Sequence, residues 1–113
     1  MPEQEIQECF APADLQQLME QSSPDQFTII DVRNPEEYEE KHIPAAVNIP
    51  LKELENYSIQ ISKNVIIITV CGKGGGRSAQ GAALLKQIGF INAKFLCGGT
   101  FGWHDSQYIS DKS

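Results

Sequence analysis

The residues best suited to chemistry in this chain stand together as Cys71-Gly72-Lys73-Gly74-Gly75-Gly76-Arg77-Ser78, directly after the apolar run Val65 to Val70 (VIIITV). A loop with four glycines can bend until successive backbone N–H groups point into one concavity, and the dipole of a following helix deepens its positive potential. Such a nest binds anions. The same field stabilises a thiolate over a thiol, and Lys73 and Arg77 add to it, so a cysteine at the start of this loop is expected to be a nucleophile with a lowered pKa. Cys71 is the expected catalytic residue, with Gly72, Lys73, Gly74, Gly75, Gly76, Arg77 and Ser78 holding an anionic substrate. A nucleotide-binding reading fits poorly. The spacing GxxxxGK[ST] is absent, Lys73 precedes the glycine run, and no GxGxxG with a distal acidic partner is assembled.

Other polar residues read more plainly. Asp31 and Arg33 close an apolar run, and the commoner role for Arg33 is a salt bridge to a helix glutamate such as Glu37. His42 lies in a proline-flanked turn and is expected to be a structural hydrogen-bonder. His104 is expected at the solvated surface, and Trp103 over one end of the core. The three cysteines, Cys9, Cys71 and Cys97, form no CxxC pair, and no histidine cluster has zinc-ligand spacing, so neither a structural metal nor a disulfide framework is expected. Cys97 reads as a packed thiol, with resolution of an oxidised Cys71 as the alternative.

The elements that must position these groups alternate. Pro12 to Gln21 places Leu15, Leu18 and Met19 on one helical face, with Pro12 in the first turn. Phe27 to Val32 (FTIIDV) reads as a buried strand. Asn34 offers an N-cap, Pro35 a first helical position, and Glu36 and Glu37 favourable charge at the helix N-terminus. His42 to Pro50 suits a turn feeding an edge strand, and Leu51 to Tyr57 a short helix. Val65 to Val70 is the expected central strand. A helix follows from Arg77 until Gly89, with Gly81 allowing it close to the sheet. Ala93 to Cys97 forms the last strand, Gly98-Gly99 follows, and the polar tail from Asp105 is expected to fray. Alternating strands and helices imply an α/β fold with a mostly parallel sheet covered on both faces, whose ligand site lies beyond the carboxyl ends of its strands.

At 113 residues the chain has room for one core, and a single domain over 1–113 is expected, its core at about 10–104 and its tail at 105–113. Fifteen acidic and nine basic residues give a net charge of −6, which repels nucleic-acid phosphates and anionic membranes. No apolar run approaches a bilayer span, and the start MPEQEIQE lacks the pattern of a signal peptide. The expected location is the cytoplasm, where cysteines remain thiols.

Four ordered segments then resemble a known family, the rhodanese-like domains, over roughly Phe10 to Trp103. They are Asp31-Val32-Arg33 with its Pro-Glu-Glu-Tyr continuation, the turn His42 to Ala46, the loop Cys71 to Ser78, and the ending Gly98-Gly99 to Trp103. The resemblance implies a five-stranded mostly parallel sheet and a sulfurtransferase in which Cys71 cycles through a persulfide. Sulfane sulfur would come from a small anionic donor such as thiosulfate and pass to a thiol, cyanide or a protein sulfur acceptor, with no cofactor. The loop departs from the family's usual sulfurtransferases by one residue, as Cys-x5-Arg. That length resembles the phosphatase and arsenate reductase branches, although Val70 stands where those tend to carry His. Sulfur transfer is the favoured reading. An oxyanion enzyme and a non-catalytic sulfur-carrier or binding module remain the alternatives.

Overall fold

Phe27–Asp31 (β1) and Ile66–Val70 (β3) pair in parallel along their whole lengths, from Phe27 opposite Ile66 to Asp31 opposite Val70, in the computed structural model, which describes residues 9–23, 25–73 and 76–112. Val47–Asn48 (β2) lies on the outer side of β1 and Ala93–Phe95 (β4) on the outer side of β3, giving a parallel sheet of order β2-β1-β3-β4. Helices Pro12–Gln21 (α1), Pro35–Glu40 (α2), Leu54–Ser58 (α3), Gly76–Ile88 (α4) and Gly99–Lys112 (α5) connect and cover these strands, and a 3-10 turn, Leu51–Glu53, precedes α3. The α/β class and the parallel sheet are as expected.

Strand alternation divides the core into two layers. Ile29, Ile68 and Val70 pack with Leu15, Ile43, Leu96 and Trp103 on one face. Ile30, Ile67 and Cys71 pack with Leu54, Leu85 and Phe90 on the other. The parity of β3 therefore turns Cys71 toward α4. Each fully buried isoleucine or leucine contributes on the order of 1.5–3 kcal/mol of apolar transfer. Gly81 does lie where α4 meets the sheet: a Cβ there would stand 3.2 Å from Leu54 Cδ2 and 3.4 Å from Thr69 Cγ2. Gly89, at φ +119°, ends the helix in a conformation that suits glycine.

Three expectations are corrected. The sheet has four strands among the described residues, and the fifth position, beside β4, holds a single bridge between Phe10 and Leu96. Pro12 starts α1 two residues later, which leaves the segment no length in which to extend. That bridge also overturns the reading of three thiols. Phe10 N–H donates to the carbonyl of Phe95 at 2.7 Å, and Cys97 N–H to the carbonyl of Phe10 at 2.9 Å. This brings the Cα atoms of Cys9 and Cys97 to 4.9 Å, and the two form a disulfide. Cys97 is thereby committed to Cys9 and neither a packed thiol nor a resolving partner for Cys71. Finally, the tail from Asp105 continues α5 to Lys112. Among the described residues no helix is long and apolar enough to cross a membrane.

Candidate active site

Cys71 leaves β3 at its carboxyl end, where parallel sheets collect their ligand sites. Its side chain is 5% exposed. The Sγ lies 3.3 Å from Ser78 Oγ and donates to it as a thiol. Ser78 is fully buried in the first turn of α4, and Thr69 Oγ1 donates to its carbonyl at 2.7 Å. That bond fastens the start of the helix to the strand that carries the sulfur, so Cys71 and Ser78 are fixed relative to one another by β3 and α4.

A second anchor comes from α5. The first amides of a helix lack intrahelical acceptors. Here Thr100 N–H donates to the carbonyl of Cys71 at 2.7 Å and Phe101 N–H to that of Gly72 at 3.0 Å. The approach requires glycine at 99. Its φ is +62°, and a Cβ would stand 2.5 Å from the Cys71 oxygen and 2.6 Å from the Gly72 oxygen. The same contact brings Phe101, 43% exposed, over Gly72, where a Cβ would meet its Cε2 at 3.4 Å. The sequence marks Gly98-Gly99 as a turn but carries no sign that the next two amides seat the nucleophile's backbone.

Of the expected loop residues, Cys71, Gly72 and Ser78 meet at this point, Arg77 stands in the first turn of α4 within electrostatic reach of Cys71, and Lys73 is exposed. Gly76 opens α4 at φ +49°. Gly74 and Gly75 lie outside the described residues. Arg77 does not stand as an isolated cation: its Nη1 and Nη2 donate to Glu37 Oε1 and Oε2 of α2 at 2.9 and 3.2 Å. Glu37 Oε1 also accepts from Asn34 N–H at 3.0 Å, the reciprocal half of a capping box. The Arg77 guanidinium, followed by the Asn34 amide, holds the Glu37 carboxyl down at about 2, and the bond to Glu37 raises Arg77 in turn.

The expected Arg33–Glu37 bridge is thus corrected. Arg33 folds back onto Asp31, donating from Nε to Oδ1 at 2.9 Å and from Nη2 to Oδ2 at 2.8 Å, and its N–H donates to Oδ1 at 3.1 Å. Nη2 also reaches the carbonyl of Lys41 at 2.6 Å. Both side chains are almost wholly buried, 2% and 0% exposed, and a buried charge demands such pairing. The bond to Asp31 raises the Arg33 pKa. This pair shapes the turn after β1, where Asn48 Nδ2 donates to the carbonyls of Asp31 and Arg33. His42 is a structural hydrogen-bonder: its Nδ1 donates to the Tyr38 carbonyl at 2.8 Å and its ring stacks on Tyr38. His104, expected at the surface, is part-buried and donates from Nε2 to the His42 carbonyl at 3.1 Å. A cleft of about 520 Å³ lined by Arg33, Glu37, Glu40, Lys41 and Phe101 opens beside the loop.

Comparison with known proteins adds to this geometry. A profile of the rhodanese-like domain matches residues 11–106. The chain is 37% identical over 81 residues to YrkF of Bacillus subtilis, a protein named for a sulfur-carrier role, and the match spans 72% of this chain but only 43% of YrkF. It is 31% identical over 85 residues to the thiosulfate sulfurtransferase GlpE of Coxiella burnetii, covering 75% of this chain and 78% of GlpE. Among solved structures, the BH2092 protein of Bacillus halodurans superposes with a TM-score of 0.76 at 33% identity, over 88% of this chain and 72% of that one.

Proposed function

The chain belongs to the rhodanese-like domain family, and from that premise we propose that it is a sulfurtransferase that carries sulfane sulfur on Cys71. One observation carries the reading. The sulfur of Cys71 sits at the carboxyl end of the inner strand β3, 3.3 Å from the hydroxyl of Ser78 in the first turn of α4. A hydroxyl at that distance rotates to donate to a thiolate, and the N-terminal dipole of α4 favours the same charge. Relatives named for thiosulfate sulfur transfer and for sulfur carriage support the same chemistry.

The proposed cycle has two displacements. The Cys71 thiolate attacks the outer sulfur of thiosulfate, the new Sγ–S bond forms, and the S–S bond of the donor breaks with its electron pair leaving on sulfite. An acceptor such as cyanide or a thiolate then attacks the outer persulfide sulfur, taking it and returning Cys71 as thiolate. Charge enters and leaves as anions, so hydrogen-bond donors around the loop, with Gly72 to Ser78 as the proposed binding residues, stabilise each displacement. The domain itself supplies the nucleophile, and small sulfur donors with thiol, cyanide or protein acceptors are its proposed partners.

Turnover of thiosulfate and cyanide to thiocyanate and sulfite tests this reading, with Cys71→Ser expected to be inactive. Sulfur loading without repeated turnover in any acceptor would mark a carrier instead. Hydrolysis of an aryl phosphate in the absence of sulfur transfer would overturn the proposal in favour of oxyanion chemistry.

A further inference from the structure

We propose that Glu37 is a specificity-determining residue of the Cys71 site, an internal carboxylate that occupies the Arg77 guanidinium and makes the site discriminate against strongly anionic substrates. The inference rests on the sulfur-transfer reading for its substrate consequence, but the electrostatic claim stands on geometry alone.

Arg77 enters α4 beside Ser78, and its guanidinium offers the planar fork that binds carboxylates and tetrahedral oxyanions through two parallel bonds. That fork is taken. Both terminal nitrogens donate to the two oxygens of Glu37, at 2.9 and 3.2 Å. Both side chains are about two-fifths exposed, and the carboxylate is held from a second side by the Asn34 amide at 3.0 Å, which keeps it against the fork. Arg33, the other arginine at this end of the sheet, is bound to Asp31 and buried. The cleft beside the loop adds Glu40 as well as Lys41 to its lining. A doubly charged tetrahedral anion arriving there must compete with Glu37 for the fork or bind against its charge. A donor without charge at its transferable sulfur, such as an organic persulfide in its protonated RSSH form, meets less opposition. Glu37 thereby favours persulfide donors over dianions such as arsenate or phosphate esters, and sets the concentration of thiosulfate that the site requires.

The test compares alkylation of Cys71 by iodoacetate, an anion, with alkylation by neutral iodoacetamide, which has the same leaving group, in the intact disulfide-bonded chain with the site mapped by peptide mass. Glu37→Gln retains an acceptor for the Asn34 amide and removes the charge, and Glu37→Ala removes both. In each variant the ratio of iodoacetate to iodoacetamide rates should rise roughly three- to tenfold at low ionic strength, and the rise should shrink with added salt. Glu37→Asp, which keeps the charge, should stay near the native ratio. A charge-independent structural defect slows both reagents together and leaves the ratio unmoved. An unchanged or lowered ratio in the folded neutral variants overturns the proposal. With thiosulfate, Glu37→Gln should lower KM by a similar factor with a smaller change in kcat. If the native chain takes no sulfur from thiosulfate, the sulfur-transfer reading fails while the alkylation ratio still decides the role of Glu37.

Discussion

Ser78 Oγ stands 3.3 Å from Cys71 Sγ inside the first turn of α4, fastened there by the bond from Thr69 Oγ1 to the Ser78 carbonyl. Because hydrogen bonds to charged groups contribute about 1.5–3 kcal/mol, Ser78→Ala should slow alkylation of Cys71 by iodoacetamide roughly 10- to 100-fold. Stability should change little, since alanine suits a helix and fills most of the space. An unchanged rate would mean that the hydroxyl does not support the reacting sulfur.

The seat of the loop makes a different demand. Gly99→Ala forces a Cβ to 2.5 Å from the Cys71 carbonyl oxygen at a φ of +62°, so backbone on one side or the other must move. A loss of at least about 2 kcal/mol is expected from strain and broken bonds. Gly81→Ala meets the ends of the Leu54 and Thr69 side chains at 3.2 and 3.4 Å, which can yield, and should cost much less. Urea denaturation of the two variants orders them.

The Cys9–Cys97 disulfide closes a loop spanning 88 positions of sequence, which restricts the unfolded chain strongly. Its reduction should cost about 2–4 kcal/mol, lowering Tm by about 10 °C or more. Cys9→Ser, Cys97→Ser and the double variant should melt together, because each removes the same crosslink. Melting curves with and without reductant, on native and double-variant protein, separate the crosslink from general effects of reductant.

Glu37 carries a pH dependence of stability. Its carboxyl is held at about 2 against an ordinary 4.5, so the unfolded chain binds the proton more readily than the folded one. The contribution is fully present above about pH 4.5 and is lost as pH falls toward 2. The group is 40% exposed, so salt screening reduces the effect. Urea melts between about pH 5 and about pH 2.5 should show native protein losing more stability than Glu37→Gln.

Much of this site was legible in the order of residues because strand-forming runs, caps and loop chemistry are local. The apolar run at Val65 to Val70 dictates β3 and leaves Cys71 at its carboxyl end, and Asn34-Pro35-Glu36-Glu37 writes the start of α2. Partner choice is not local. Arg33 and Arg77 each had several carboxylates within plausible reach, and only the fold determines that Asp31 takes one and Glu37 the other. The disulfide was hidden for the same reason, since Cys9 approaches Cys97 through a single backbone bridge at Phe10. The part of α5 that seats the loop was obscured because its amides act through backbone bonds that no side chain announces.

The persulfide on Cys71 is tested most directly by intact mass spectrometry after incubation with thiosulfate. The expected result is a gain of one sulfur atom, mapped to the peptide containing Cys71, reversed by cyanide and absent in Cys71→Ser. A native chain that gains no sulfur, or a gain that survives Cys71→Ser, would contradict the assignment.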